Sequence, residues 1–275
     1  MSIVRLIHTK LRKMSHKILI LSFVGLMLFG ISDSHKTREL NMNQESKSPN
    51  SKIKLFLCGD VMTGRGIDQV LPHSVDPKLY ESYVKDARDY VSIAEKKNGP
   101  IDQTVSYSYI WGDALQTWKE ADADFKIINL ETSVTTNENP WPLKGINYRM
   151  HPENVELLTT AGIDYCALAN NHTLDWKQKG LEETLNTLGN AGISYSGAGT
   201  EIKEARKPAV LHSKDHRVVV FSYGLESSGI PESWSATKED PGVNLLKELN
   251  TKSIKKISQQ VQSVKNPGDI VVFSV

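Results

Sequence analysis

The sequence predicts an α/β domain, and three observations carry that expectation. Short apolar runs recur along the chain, at Ile53–Cys58, Phe125–Leu130, Ile163–Ala169, Ile193–Ser196 and Ile270–Val275. Longer segments with apolar residues at helical spacing separate most of them, so strands and helices alternate. Gly, Pro and Asn mark the joins. The composition agrees. With 275 residues, 39% of them hydrophobic and 24% charged, the chain can bury one large core or two smaller ones. Two cysteines exclude a disulfide-stapled miniprotein.

The first fifty residues carry eight Lys/Arg against three Asp/Glu. Arg5, Lys10, Arg12, Lys13 and Lys17 precede an apolar run from Ile18 to Ile31. Fourteen helical residues reach about 21 Å, short of a hydrocarbon core of about 30 Å. Positive, then apolar, then polar residues over 1–32 read as a secretory signal or an uncleaved membrane anchor. Residues 33–51 are rich in Ser, Asn, Lys and Glu, bury too little to offset ordering, and read as a flexible spacer. The folded domain is expected over 52–275, in an exported protein that is membrane-anchored or extracellular/periplasmic. That remainder holds 25 basic against 29 acidic residues, which excludes the basic footprint of a nucleic-acid partner.

Ile53–Cys58, ending at Gly59-Asp60, reads as a buried strand, with Cys58 and Cys166 as small buried hydrophobes. Asp76–Lys97 has helical spacing and stops at Asn98-Gly99-Pro100. Tyr109–Glu120 reads as a second helix and Phe125–Leu130 as the second strand. His151-Pro152-Glu153 opens a helix closed at Gly162, because proline suits a first turn and glutamate suits its dipole. A third strand follows over Ile163–Ala169. Leu181, Leu185 and Leu188 mark the next helix, and Ile193–Ser196 a short strand. Ala209–Leu211 and Arg217–Tyr223 form a hairpin. Ile254, Ile257, Val261 and Val264 mark a helix broken by Pro267-Gly268, before a strand from Ile270. An apolar strand as the last six residues suggests a fragment.

Cation-binding and proton-moving groups follow three of these strands. Asp60 comes after the first, Asn129-Leu130-Glu131 after the second, and Asn170-Asn171-His172 with Asp175 after the third. Sites in α/β sheets form beyond the carboxyl ends of strands. Carboxylates meeting there would repel or protonate unless a cation balanced them. Oxygen-rich mixed ligands suit Mn, Fe, Zn or Mg. Arg65 offers a fork for a substrate carboxylate or phosphate, or a structural ion pair. Trp141 and Trp176 lie near enough in sequence to line a groove.

Gly59-Asp60-Val61-Met62 with Gly64-Arg65, Asn129-Leu130-Glu131-Thr132 and Ala169-Asn170-Asn171-His172-x-x-Asp175 resemble the signatures of the CapA family. These are poly-gamma-glutamate capsule biosynthesis proteins related to calcineurin-like metallophosphoesterases. The resemblance continues through Gly180-Leu181, Ala191-Gly192-Ile193 and Glu204-Ala205-Arg206-Lys207-Pro208, and covers Lys52–Val275. Residues Ile67–Asp113 resemble an insertion carried by one branch.

The resemblance implies a metallophosphoesterase-like four-layer αββα sandwich, incomplete at the C-terminus. It implies two divalent metal ions, with Asp60, Glu131 and Asn171 as ligands. His172 and Asp175 would be catalytic: His172 would protonate a leaving group or stabilise the attacked centre, and Asp175 would orient His172 or its loop. Apart from the resemblance, the guanidinium fork makes Arg65 the substrate-binding candidate, with a structural ion pair as its alternative. The phosphoesterase pattern has a histidine where Met62 stands, and the family's His-Trp-Gly falls beyond Val275. The function expected is metal-dependent hydrolase chemistry in capsule or poly-gamma-glutamate synthesis. Its partners would be an anionic polymer or phosphate-ester substrate and other synthesis subunits at the membrane. The alternatives are a non-catalytic scaffold that guides polymer, and a phosphodiesterase or nucleotidase unrelated to capsule.

Overall fold

The apolar runs build two sheets that face each other. A computed structural model describes residues 52–275. The signal or anchor segment and the spacer therefore lie outside the described residues. The first sheet comprises β1 (Leu55–Val61), β2 (Phe125–Leu130), β3 (Tyr165–Ala167) and β4 (Ser194–Ser196), parallel and in that order. The second has β6 (Arg217–Ser222) between β5 (Ala209–His212) and β7 (Ile270–Ser274). The β5–β6 pair is antiparallel, as the hairpin pattern predicts, and β6–β7 is parallel.

Strand side chains alternate between faces, and that alternation defines the layers. Phe125, Ile127, Tyr165 and Ala167 of the first sheet meet Ala209, Leu211, Val218 and Val220 of the second. The intervening residues point outward. Ile128, Leu130 and Cys166 pack against Leu157, Leu158, Leu181, Leu185 and Leu188. These leucines lie in α5 (Glu156–Thr160) and α6 (Lys177–Asn190), which follow α1 (Gly66–Val70), α2 (Arg88–Asn98), α3 (Tyr107–Trp111) and α4 (Ala114–Ala121). On the far side, Val219, Phe221 and Tyr223 lie under Ile257, Val261 and Val264 of α7 (Thr251–Val264). Helix, sheet, sheet, helix is the expected four-layer αββα sandwich. Each fully buried leucine of α6 contributes about 1.5–3 kcal/mol.

Three expectations need correction. Only Arg88–Asn98 of the Asp76–Lys97 segment is helical. Before it, Pro77 interrupts the pattern, Lys78 bridges Asp86, and Glu81 is drawn into the interior at 1% exposure. The Tyr109–Glu120 helix divides at Gly112, whose φ of 51° suits glycine. Cys58 is exposed rather than buried, and Leu57 is 57% exposed. The reason is that β1 is an edge strand whose register shifts between Leu57 and Asp60, a bulge that re-aims its side chains. Cys166 is buried, and both thiols are free.

Candidate functional site

The parallel order β1-β2-β3 brings three carboxyl ends side by side. Asp60 lies within β1 just past the bulge, Glu131 directly follows β2, and Asn170, Asn171 and His172 follow β3. Polar side chains lace these ends together. Asn129 Nδ2 donates to Asp60 Oδ1 at 2.7 Å. Asn129 Oδ1 in turn accepts from Asn170 Nδ2 at 3.0 Å. Asn170 Oδ1 accepts from the His172 amide at 3.0 Å. Ser133 Oγ donates to the His172 carbonyl at 2.9 Å. The loop after β3 is thus held on the loop after β2 by side chains that are buried or partly buried.

His172 is 5% exposed, and Asp175 is fully buried. Their Nδ1 and Oδ2 atoms are 2.6 Å apart. With Asp175 Oδ2 as acceptor the ring proton sits on Nδ1, which Lys144 Nζ also approaches at 3.2 Å, and Nε2 faces Glu131 Oε1 at 3.6 Å. Asp175 also accepts from Lys144 Nζ at 2.6 Å and from the Tyr148 amide at 2.6 Å. Tyr148 stacks on the His172 ring with centroids 4.0 Å apart and planes tilted 20°. The imidazole is therefore fixed from below and from one face.

Burial raises the Glu131 pKa most, His172 opposes that, and Asp60 and Asp175 raise it further. A carboxylate uncomfortable with its own charge is the expected signature of a site that gains from a cation. Asn171 sits against Gly229, where an added Cβ would lie 3.6 Å from the Asn171 Cβ. Gly229 has a φ of 81°, so this close approach uses a residue suited to that backbone. Among the described residues, the Asn171 side chain makes no hydrogen bond, and its amide oxygen remains free to act as a ligand. Asp60, Glu131 and Asn171 offer hard oxygen donors on adjoining strand ends, the ligand chemistry that suits divalent cations. Among the described residues, no three His, Cys, Asp or Glu side chains converge to hold a metal by themselves. Met62, at the histidine position of the phosphoesterase pattern, accepts the Gly64 amide on its sulfur at 3.2 Å.

The bacterial capsule synthesis protein PGA_cap family model matches residues 54–275. The chain belongs to that family. It is 42% identical over 225 residues to a probable polyglutamine synthesis accessory protein of Mycobacterium tuberculosis, covering 81% of this chain and 59% of the relative. It is 24% identical over 228 residues to the capsule biosynthesis protein CapA of Bacillus anthracis, covering 82% and 46%. The chain thus spans about half the length of these curated relatives. The NAD nucleotidase of Haemophilus influenzae aligns at a TM-score of 0.39 with 10% identity, covering 80% of this chain and 33% of that one. A Mycoplasma pneumoniae phosphatase aligns at 0.35 with 16% identity, covering 61% and 50%.

Arg65 makes the structural ion pair that its sequence context offered beside a substrate-binding role. Its NH2 lies 2.5 Å from Glu81 Oε1, and its side chain is 15% exposed. Tyr90 donates its hydroxyl to Glu81 Oε2 at 2.6 Å. The Arg65 guanidinium carbon lies 4.9 Å from the Tyr90 ring centroid and 4.6 Å from that of Tyr148. Its fork is therefore already occupied by a buried carboxylate. Trp176 is 2% exposed beneath Arg149 and packs rather than lining a groove. Trp141 meets Trp234 edge-on, and its amide donates to the Asp175 carbonyl at 2.7 Å.

Sequence reasoning missed Lys144 and Tyr148. Both lie in a loop of Asn, Pro and Gly with no periodic pattern, and only the fold brings them to Asp175 and His172.

Proposed function

We propose that this chain is an exported, membrane-associated component of capsule or polyglutamate synthesis that performs metal-dependent hydrolysis. The His172–Asp175 pair aimed at Glu131 carries this reading. Asp175 fixes the tautomer, so Nε2 is the atom that takes or gives a proton beside the attacked group. Lys144 holds Asp175 from its other oxygen and keeps that carboxylate in place. Asp60, Glu131 and Asn171 would hold the cation, which when bound would polarise the substrate oxygen and activate water. The basic and apolar order of residues 1–32 supports export and anchoring. The family description and the name of the Bacillus anthracis relative support a role in capsule synthesis, and an anionic capsule polymer is the substrate class proposed.

The test is calorimetric titration with manganese, followed by hydrolysis assays on poly-gamma-glutamate and on a generic phosphate diester. Saturable uptake and turnover of one substrate are expected, both lost in Glu131→Gln. Failure to bind any divalent cation overturns the hydrolase. A second reading, a non-catalytic guide for polymer, is favoured by one observation: the Met62 sulfur turns to the Gly64 amide where the phosphoesterase pattern has a metal-binding histidine. Polymer binding without turnover selects it.

A further inference from the structure

Tyr148 is the one aromatic side chain stacked directly on His172 among the described residues. The Arg65 guanidinium also lies over its ring, at 4.6 Å. The ring is therefore in contact with both a cation and the imidazole. Its backbone is pinned as well. The Tyr148 amide donates to Asp175 Oδ2, and its carbonyl accepts from Trp176 Nε1 at 3.0 Å. Yet among the described residues the Tyr148 hydroxyl has no hydrogen-bond partner, although the side chain is half-buried.

This arrangement is built at some expense to the backbone. Arg65 has a φ of 52°, an uncommon conformation for a residue with a side chain. Glu81 and Tyr90, both from the irregular arm and helix between β1 and β2, hold its guanidinium there. An ion pair, two rings and a strained turn thus converge on one tyrosine whose polar end is left free. A tyrosine that served only as packing would do as well as phenylalanine.

Resting on the hydrolase site described above, we infer that Tyr148 is a further substrate-contacting residue, its hydroxyl donating to an anionic oxygen of the substrate beside His172. Arg65 is the positioning residue that holds its ring. The ligand class is an oxyanion, either a phosphate or a glutamate carboxylate.

The experiment measures binding of inorganic phosphate and of a gamma-linked glutamate oligomer by calorimetry, with and without manganese. The proteins are the wild type, Tyr148→Phe, Arg65→Lys and the double variant. Tyr148→Phe keeps the ring and its stack, and is expected to weaken binding of one probe about tenfold or more while leaving thermal stability and manganese affinity unchanged. The probe affected identifies the source of the oxyanion. Arg65→Lys loses the planar fork and is expected to weaken the same probe, with no further loss in the double variant. Equal affinity of Tyr148→Phe and wild type for both probes overturns the inference, as does failure of the wild type to bind either. Additive losses in the double variant overturn the positioning role of Arg65. If manganese uptake and turnover fail while the tyrosine variant still loses oxyanion binding, the hydrolase falls and this inference stands.

Discussion

The bond between Lys144 and Asp175 should couple their contributions to stability. Asp175 is fully buried and accepts three contacts of 2.6 Å, from His172, Lys144 and the Tyr148 amide. Each charge-assisted hydrogen bond contributes about 1.5–3 kcal/mol net. Asp175→Asn removes the charge but keeps one acceptor oxygen, so the expected loss is about 2–4 kcal/mol. Lys144 is 21% exposed, and water takes over part of its role. Lys144→Met should therefore lose only about 1–2 kcal/mol. Once the carboxylate is gone, the lysine has little left to lose. The double variant should be more stable than the sum of the single losses implies, by about 1–2 kcal/mol. Urea unfolding followed by tryptophan fluorescence measures all four proteins. At roughly 2–4 °C per kcal/mol for a domain of this size, Asp175→Asn should also melt about 10 °C lower. Additivity within about 0.5 kcal/mol, or an Asp175→Asn loss below that value, refutes the account of a shared buried carboxylate.

Other consequences follow from the same contacts. The folded state holds the Glu131 pKa up, so it binds more protons than the unfolded chain and stability falls as pH rises above about 4.3. Glu131→Gln should thus melt slightly higher than wild type at pH 7, by less than about 1 kcal/mol given its partial exposure. That difference should vanish in acid, and manganese should stabilise only the wild type; pH-resolved melting checks both. Asp60 is exposed, and among the described residues its side chain bonds only Asn129, so Asp60→Asn should leave the melting temperature nearly unchanged while lowering manganese affinity at least tenfold. Calorimetry separates the two effects. Cys58 is exposed and should react with a thiol reagent in the native state. Burial raises the Cys166 thiol pKa, so Cys166 should react only on unfolding; a colorimetric thiol count with and without denaturant tests this.

The sandwich was legible because period-two and helical patterns are local. Val218 and Val220 face one way and Val219 and Phe221 the other, and the sequence alone separates them. Gly112 was harder. One glycine within an otherwise helical run can be tolerated, and only its positive φ makes it a break. Burial of β1 was misread because an apolar run does not reveal whether its strand lies at an edge. The strand-end donors were legible because topology forces parallel neighbours to end together. Lys144 and Tyr148 were not, since each reaches the site across a loop contact with Asp175, 31 and 27 residues away in sequence.

The two halves of the site differ in how far they are preorganised, and that difference orders the chemistry. His172 is held by a buried carboxylate, a lysine beyond it and a stacked ring, so its orientation is set before any ligand arrives. Asp60 faces solvent on an edge strand and is held by a single amide, so its position can adapt to an incoming ion. On the proposed hydrolase reading, a rigid imidazole beside an adaptable carboxylate would suit a site in which an ion and a substrate arrive together. Half-buried Glu131 joins the two, since burial raises its pKa, His172 opposes that and Asp60 adds to it. A change at Glu131 should therefore alter cation uptake and the environment of the imidazole at once, whereas a change at Asp60 should alter only the first.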